Sequence, residues 1–273
     1  IPVKDGRGVV LLIAREQMFN ALKIVEGSKE ISKAYKGYLR HLVILPFFHI
    51  FGFSGNVILN LIINYTSYIP TSSRAETLLE MMEKYRITSF DTVNTILLRM
   101  VQLENFSPDK VSSLKTCVVG GSVTAESQLI LLKKAFQNCA FLNVYGMSEK
   151  SIISITRKSD SFEKSTTTVG KPFGGVEVIF KDPEGHILKQ GQQGELFVRS
   201  QAMIICYYKL AIENQPIDEN GFFATGDLGY LDKDGYLVLT GRAKDLIIRG
   251  GENIAPSEIS NVLAELDYIA DVK

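Results

Sequence analysis

Two charged residues, Asp227 and Arg242, stand at the ends of two successive expected strands. Asp227 closes the apolar approach Gly221-Phe222-Phe223-Ala224 through the turn-like Thr225-Gly226. Arg242 follows Gly241, just past a strand expected over Tyr236–Thr240. Between them, Asp232-Lys233-Asp234-Gly235 reads as a hairpin turn, with Asp-Gly supplying the positive φ. A carboxylate and a guanidinium placed a hairpin apart can meet on one small polar ligand. The pair suits a ribose, because the carboxylate accepts from both hydroxyls and Arg donates in a fixed fork. An ordinary surface salt bridge explains the same two residues.

Three more expected strand ends carry reactive or ligand-shaped residues. Val119-Gly120-Gly121-Ser122 removes side chains where a flat ring could approach the backbone, ahead of a helix N-terminus. In Asn143-Val144-Tyr145-Gly146-Met147-Ser148-Glu149, Tyr145 can stack on a purine and Ser148 can donate to a phosphate. Glu149 can bind a hard magnesium ion. His49 sits among aromatics in Leu45-Pro46-Phe47-Phe48-His49-Ile50-Phe51-Gly52. Mundane turns, a strand-to-loop exit and a satisfied core histidine would account for the same three segments.

TGDLGYLDKDGYLVLTGRAKDLII (225–248) followed by GGENIAPSEI (250–259) closely resembles the signature of the adenylate-forming superfamily. That superfamily holds acyl- and aryl-CoA ligases, beetle luciferases and peptide-synthetase adenylation domains. YGMSE resembles its YGMTE motif, with Ser148 for Thr. GGSVT resembles its SGGAPL run without the Ala-Pro, and LPFFHIFG its LPxFHxxG. The resemblance implies ATP/AMP, Mg2+ and coenzyme A as ligands. It places Asp227 and Arg242 on the ribose, Tyr145 with Gly120 and Gly121 on adenine, and Ser148 on phosphate. It puts Glu149 on the metal and His49 against the acid, with Asn143 and Gly121 lining the acid's pocket. Lys244 falls at the hinge of a mobile lid, and Gly250 and Gly251 in a loop facing pantetheine.

Activity implied by the resemblance is carboxylate–CoA ligation: acid plus ATP gives an acyl-adenylate, and the CoA thiol then displaces AMP. A luciferase-like or carrier-protein-loading enzyme shares the first step, and a non-catalytic degenerate paralogue is the third reading. The family's phosphate loop is expected just before Ile1, and its lid lysine beyond Lys273, which lacks the Ser-Gly-Lys context. The chain alone is thus expected to bind nucleotide weakly and to adenylate very slowly. Asn94-Thr95 replaces a common pair of prolines, and Cys206 a usual glycine.

Thirty basic and thirty acidic residues cancel over 273 positions, which points to no nucleic-acid footprint and no general attraction to anionic membranes; the small-molecule partners are those the resemblance implies. The three cysteines, Cys117, Cys139 and Cys206, are isolated, so core packing in a reducing compartment is expected, cytoplasmic or peroxisomal. Ile1 begins no charged-then-apolar leader, so no signal peptide is expected. From His41 to Ser73 no Asp, Glu, Lys or Arg occurs. Pro46, His49 and the asparagines argue against a membrane span, and for a buried strand, a turn and a buried helix.

The elements that must position these residues alternate as in a sheet covered by helices. Strands are expected at Leu42–Leu45, Ile87–Thr92, Leu114–Val119 and Ala140–Val144. Helices are expected at Ser54–Tyr65, Arg74–Arg86, Thr95–Leu103 and Ala125–Phe136. After Thr168 come short strands at Val176–Phe180, Gly194–Arg199, Phe222–Thr225 and Tyr236–Thr240. From Ala255 a helix is expected, then a strand at Ile269–Val272. The fold class is α/β: mixed sheet layers with flanking helices, a small β-barrel-like subdomain, then the start of an α+β lid. Domains are expected at 1–243 (α/β to 168, β-rich from 169) and 244–273.

Overall fold

The computed structural model describes residues 39–60, 65–120, 126–204 and 215–245, with short pieces at 3–4, 7–8, 206–207, 210, 247–249 and 252–254, and single residues at 256, 259, 262 and 263. Val3–Lys4 (β1) and Arg7–Gly8 (β2) form a short antiparallel ladder. The main sheet has seven strands in the order β4-β3-β5-β6-β7-β8-β9. They are Arg40–Leu42 (β3), Thr66–Tyr68 (β4), Ser89–Thr92 (β5), Thr116–Gly120 (β6), Ala140–Met147 (β7), Lys150–Ile155 (β8) and Lys171–Pro172 (β9). Strands β4, β3, β5, β6 and β7 run parallel; β8 pairs antiparallel with β7, and β9 antiparallel with β8.

The two faces of this sheet differ in chemistry. Leu42, Phe90 and Cys117 share one register row and are fully buried. They pack with Leu78, Leu79 and Met82 of Ala75–Tyr85 (α1), Leu97 and Met100 of Asn94–Val101 (α2), and Leu132 of Glu126–Ala135 (α3). In α1 the apolar residues recur at helical spacing, with Glu76 in the first turn and Lys84 in the last complementing the macrodipole. Arg86, at φ 48, ends that helix in the left-handed region. Adjacent residues on a strand point to opposite faces, so the row Ser67, His41 and Ser89 lies on the other side. A helical segment from 50 to 60, π-helical over Gly52–Ile58, supplies Asn56 to that polar side.

The second layer is an antiparallel sheet of four strands, ordered Glu177–Lys181 (β10), Gly194–Arg199 (β11), Phe223–Leu231 (β12) and Leu237–Arg242 (β13). Its inner face joins Ile153 of β8 in a separate core with Val176, Phe180, Leu196, Val198, Phe223 and Leu237. A last ladder pairs Ile247–Arg249 (β14) with Glu252–Ile254 (β15).

Several element bounds differ from expectation. The strand expected at Leu42–Leu45 is Arg40–Leu42, beginning two residues and ending three residues earlier. The helix expected over Ser54–Tyr65 begins at 50, and Tyr65 already precedes β4. Strand β7 runs on through Tyr145 and Gly146 instead of ending at them. Thr225-Gly226-Asp227 was expected as a turn but lies inside β12. There Gly226 takes φ 74 within the strand, which only glycine does cheaply. Strands β4, β8 and β9 were not expected. The helix from Ala255 and the strand at Ile269–Val272 fall largely or wholly outside the described residues. Cys117 is core, as expected, while Cys139 and Cys206 are partly buried. No helix among the described residues is long and apolar enough to cross a membrane.

Candidate active site

Asp227 and Arg242 are direct register partners on β12 and β13. The hairpin turn between the strands is the expected one, with Gly235 at φ 79. The Asp232 carboxylate accepts from the N–H of Asp234 and of Tyr236, both at 2.9 Å, and so locks that turn. The register delivers Arg242 Nε to Asp227 Oδ1 at 2.8 Å. Asp227 is buried, whereas the Arg242 side chain is 54% exposed. The other carboxylate oxygen, Oδ2, accepts from the Tyr145 hydroxyl across the seam between the two sheets. Burial first, and the Asp227 carboxylate second, push the Tyr145 phenol far above its ordinary range, so it stays a donor. Thr225 Oγ1 accepts from the Asp227 N–H at 3.0 Å and donates to Leu196 at 2.8 Å, which fixes the backbone beneath the carboxylate.

Tyr145 belongs to a tight hairpin. Met147 pairs with Lys150, leaving Ser148 and Glu149 at the turn itself. Gly146 makes the close crossing possible: a Cβ there would lie 1.9 Å from the Ser151 carbonyl oxygen. Glu149 Oε1 accepts from the Tyr207 hydroxyl at 2.5 Å, and its backbone carbonyl takes the Ile204 N–H at 3.0 Å. Tyr207 is raised in pKa by burial and then by that carboxylate. Its part in orienting Glu149 was invisible in the sequence, because the two residues are far apart and no motif joins them. Lys150 directly follows Glu149 but was missed too, because nothing in its type or position announces that it is buried. It is 6% exposed, and burial alone pushes its ammonium down to about 8.

Of the other expected site residues, Gly120 is the register partner of Val144, next to Tyr145. Gly120 ends β6, and a Cβ there would lie 3.2 Å from the Phe51 ring and 3.0 Å from Val144 Cγ1. His49 is exposed, not a core histidine, and its Nδ1 accepts from the Phe51 N–H at 3.2 Å. The Asn143 amide donates to the carbonyls of Ser165 at 2.7 Å and Thr168 at 3.2 Å, anchoring the helix Phe162–Thr167 (α4). Lys244 is exposed in the 3-10 turn Ala243–Asp245 directly after Arg242. Gly121, Gly250 and Gly251 lie outside the described residues. The buried histidine of this chain is His41, beside Asn56 and Asp91.

Residues 8–208 match the AMP-binding enzyme family. A 2-succinylbenzoate–CoA ligase of Lactococcus lactis is 34% identical over 251 residues, 90% of this chain and 50% of that protein. The oxalate–CoA ligase of Saccharomyces cerevisiae is 31% identical over 248 residues, 89% of this chain and 45% of its own length. O-succinylbenzoate coenzyme A synthetase from Bacillus subtilis, solved with ATP and magnesium, superposes with a TM-score of 0.78 at 26% identity. It covers 93% of this chain, which covers 51% of it. The chain thus spans about half the length of the relatives it matches. With the motifs in register, the two-layer fold shared and most of its length matched, the chain belongs to the AMP-binding, adenylate-forming enzymes.

Proposed function

We propose that the protein containing this chain is an ATP-dependent carboxylate–CoA ligase. The observation that carries the reading is the three-residue clamp in which Tyr145 and Arg242 hold the buried Asp227 carboxylate between two sheets. A carboxylate has about four lone-pair sites, so Asp227 can take both ribose hydroxyls while keeping its protein donors. The ring of Tyr145, with Gly120 and Gly121, would face adenine. The Ser148 hydroxyl would donate to the α-phosphate. Ser148 and Glu149 offer oxygen donors only, the set a hard magnesium ion accepts, and that ion would supply charge neutralisation on the phosphates.

An acid oxygen, steadied by His49, attacks the α-phosphorus as the bond to pyrophosphate breaks. The CoA sulfur then attacks the acyl carbon, and the bond to AMP breaks with AMP leaving. Catalysis is mostly positioning and stabilisation of charge at phosphorus. Residues 244–273 would begin the lid, hinged at Lys244, with Gly250 and Gly251 near pantetheine. CoA-ligase names among the relatives support thiol transfer over other acceptors.

Full-length protein given ATP, magnesium, a panel of carboxylic acids and CoA is expected to release pyrophosphate. Asp227→Ala should lower kcat/KM for ATP by roughly 10- to 100-fold, the worth of a charged hydrogen bond. Release unchanged by that substitution would remove the ribose assignment.

A further inference from the structure

Just past the end of β12, the turn of the hairpin that bears Asp227 and Arg242 meets the first layer a second time. Lys164 of α4 donates to the carboxylates of Asp232 and Asp234, to the latter at 2.8 Å. Its ammonium lies 4.9 Å from the centre of the Tyr236 ring, and that of Lys171 lies 4.6 Å from the same centre. The Tyr236 hydroxyl donates to Asp160 Oδ1 at 2.8 Å, just ahead of α4. Backbone bonds accompany these side chains. The Val169 N–H donates to the Leu237 carbonyl at 2.9 Å, and the Leu237 N–H to that of Gly170 at 2.8 Å.

Helix α4 is tied in turn to β7. The amide of Asn143 holds the Ser165 and Thr168 carbonyls, and Asn143 stands two residues before Tyr145 on that strand. The contacts therefore close a ring. It runs from Tyr145 along β7 to Asn143, across to α4, through Lys164 to the hairpin turn, and back along β12 to Asp227. The Tyr145 hydroxyl, donating to Asp227 Oδ2, completes it.

In such a ring the clamp and the Lys164 link constrain each other, so loosening one widens the positions open to the other. A single exposed ion pair would contribute little. Here one ammonium is shared by two carboxylates and an aromatic face, and the side chains of Lys164 and Asp232 are only 23 and 17% exposed. The clamp also divides between the layers. Tyr145, Gly120, Ser148 and Glu149 belong to the first, while Asp227 and Arg242 come from the second. A hairpin set loose at its turn would therefore shift the carboxylate and leave the proposed adenine and phosphate contacts in place.

We propose that Lys164 is a positioning residue for the nucleotide. By bridging Asp232 and Asp234 it seats the hairpin against the layer that carries Tyr145, and so sets how Asp227 meets the two sugar hydroxyls. The inference rests on the ribose reading of Asp227.

Full-length protein is titrated by calorimetry with ATP and with 2′,3′-dideoxy-ATP, as wild type, Lys164→Met and Asp234→Asn. Lys164→Met should weaken ATP by about three- to tenfold and change dideoxy-ATP by less than about twofold, because only the hydroxyls lose their aligned partner. Asp234→Asn removes one charge from the latch and leaves Asp232 in place, so it should show the same selective loss at smaller size. It carries the test if chemical denaturation shows that Lys164→Met does not fold. Equal losses for the two nucleotides, or no loss in either variant, would overturn the positioning role alone. A wild type that binds both nucleotides alike would remove the ribose reading and this inference with it.

Discussion

Both carboxylate oxygens of Asp227 are engaged before any ligand arrives, Oδ1 by Arg242 and Oδ2 by Tyr145. A buried carboxylate so held is aimed and needs little reorganisation on binding. Lys150 presents the opposite situation. Its pKa falls from 10.5 to about 8 through burial alone, so the protonated form costs stability. Below pH 8 the lysine is charged in both folded and unfolded chains, and the penalty is present in full. It is relieved as pH rises from 8 to 10.5 and is gone above that. Lys150→Met should therefore raise stability at pH 7 by about 1–3 kcal/mol. The gain over wild type should shrink toward pH 10, as followed by chemical denaturation at several pH values. A gain that did not change with pH would assign the effect to packing instead. The meeting of Asp227 with Arg242 was legible in the sequence because residue type and motif spacing mark the pair. Lys150, Tyr207 and His41 were not, since burial and distant partners give them their character.

Register is the quantity that the hairpins control. Asp232-Lys233-Asp234-Gly235 was readable because Asp-Gly has few conformational choices, and the turn it makes fixes Asp227 opposite Arg242. Thr225-Gly226-Asp227 misled because Gly and Asp are turn residues by propensity. Here the antiparallel neighbours keep the segment in a strand despite the kink at Gly226. The short strands β4, β8 and β9 were missed because pairing, not composition, makes them strands. Gly146 offers a sharp test at this scale. With backbone only 1.9 Å from a built Cβ, Gly146→Ala must push β7 and β8 apart. It should destabilise by roughly 3 kcal/mol or more, visible as a lower denaturation midpoint. The substitution should also weaken nucleotide binding by displacing Tyr145. A midpoint within about 0.5 kcal/mol of wild type would mean that the hairpin crosses more loosely.

Across the whole molecule, the alternation of strands and helices announced the α/β layer, and the change of texture after Thr168 announced the antiparallel one. What the sequence left unstated is how the layers meet. Tyr145 from the first sheet and Asp227 from the second close the seam, so the proposed ribose site exists only when both layers are folded and docked. The most direct test of that claim compares the affinity of full-length protein for ATP and for 2′,3′-dideoxy-ATP by calorimetry, in wild type and in Asp227→Ala. If Asp227 grips the ribose, deleting both hydroxyls should cost the wild type roughly 10- to 100-fold in affinity. It should cost the variant almost nothing further, since the two losses would share one interaction. Equal losses in the two proteins would show that the hydroxyls and Asp227 never meet.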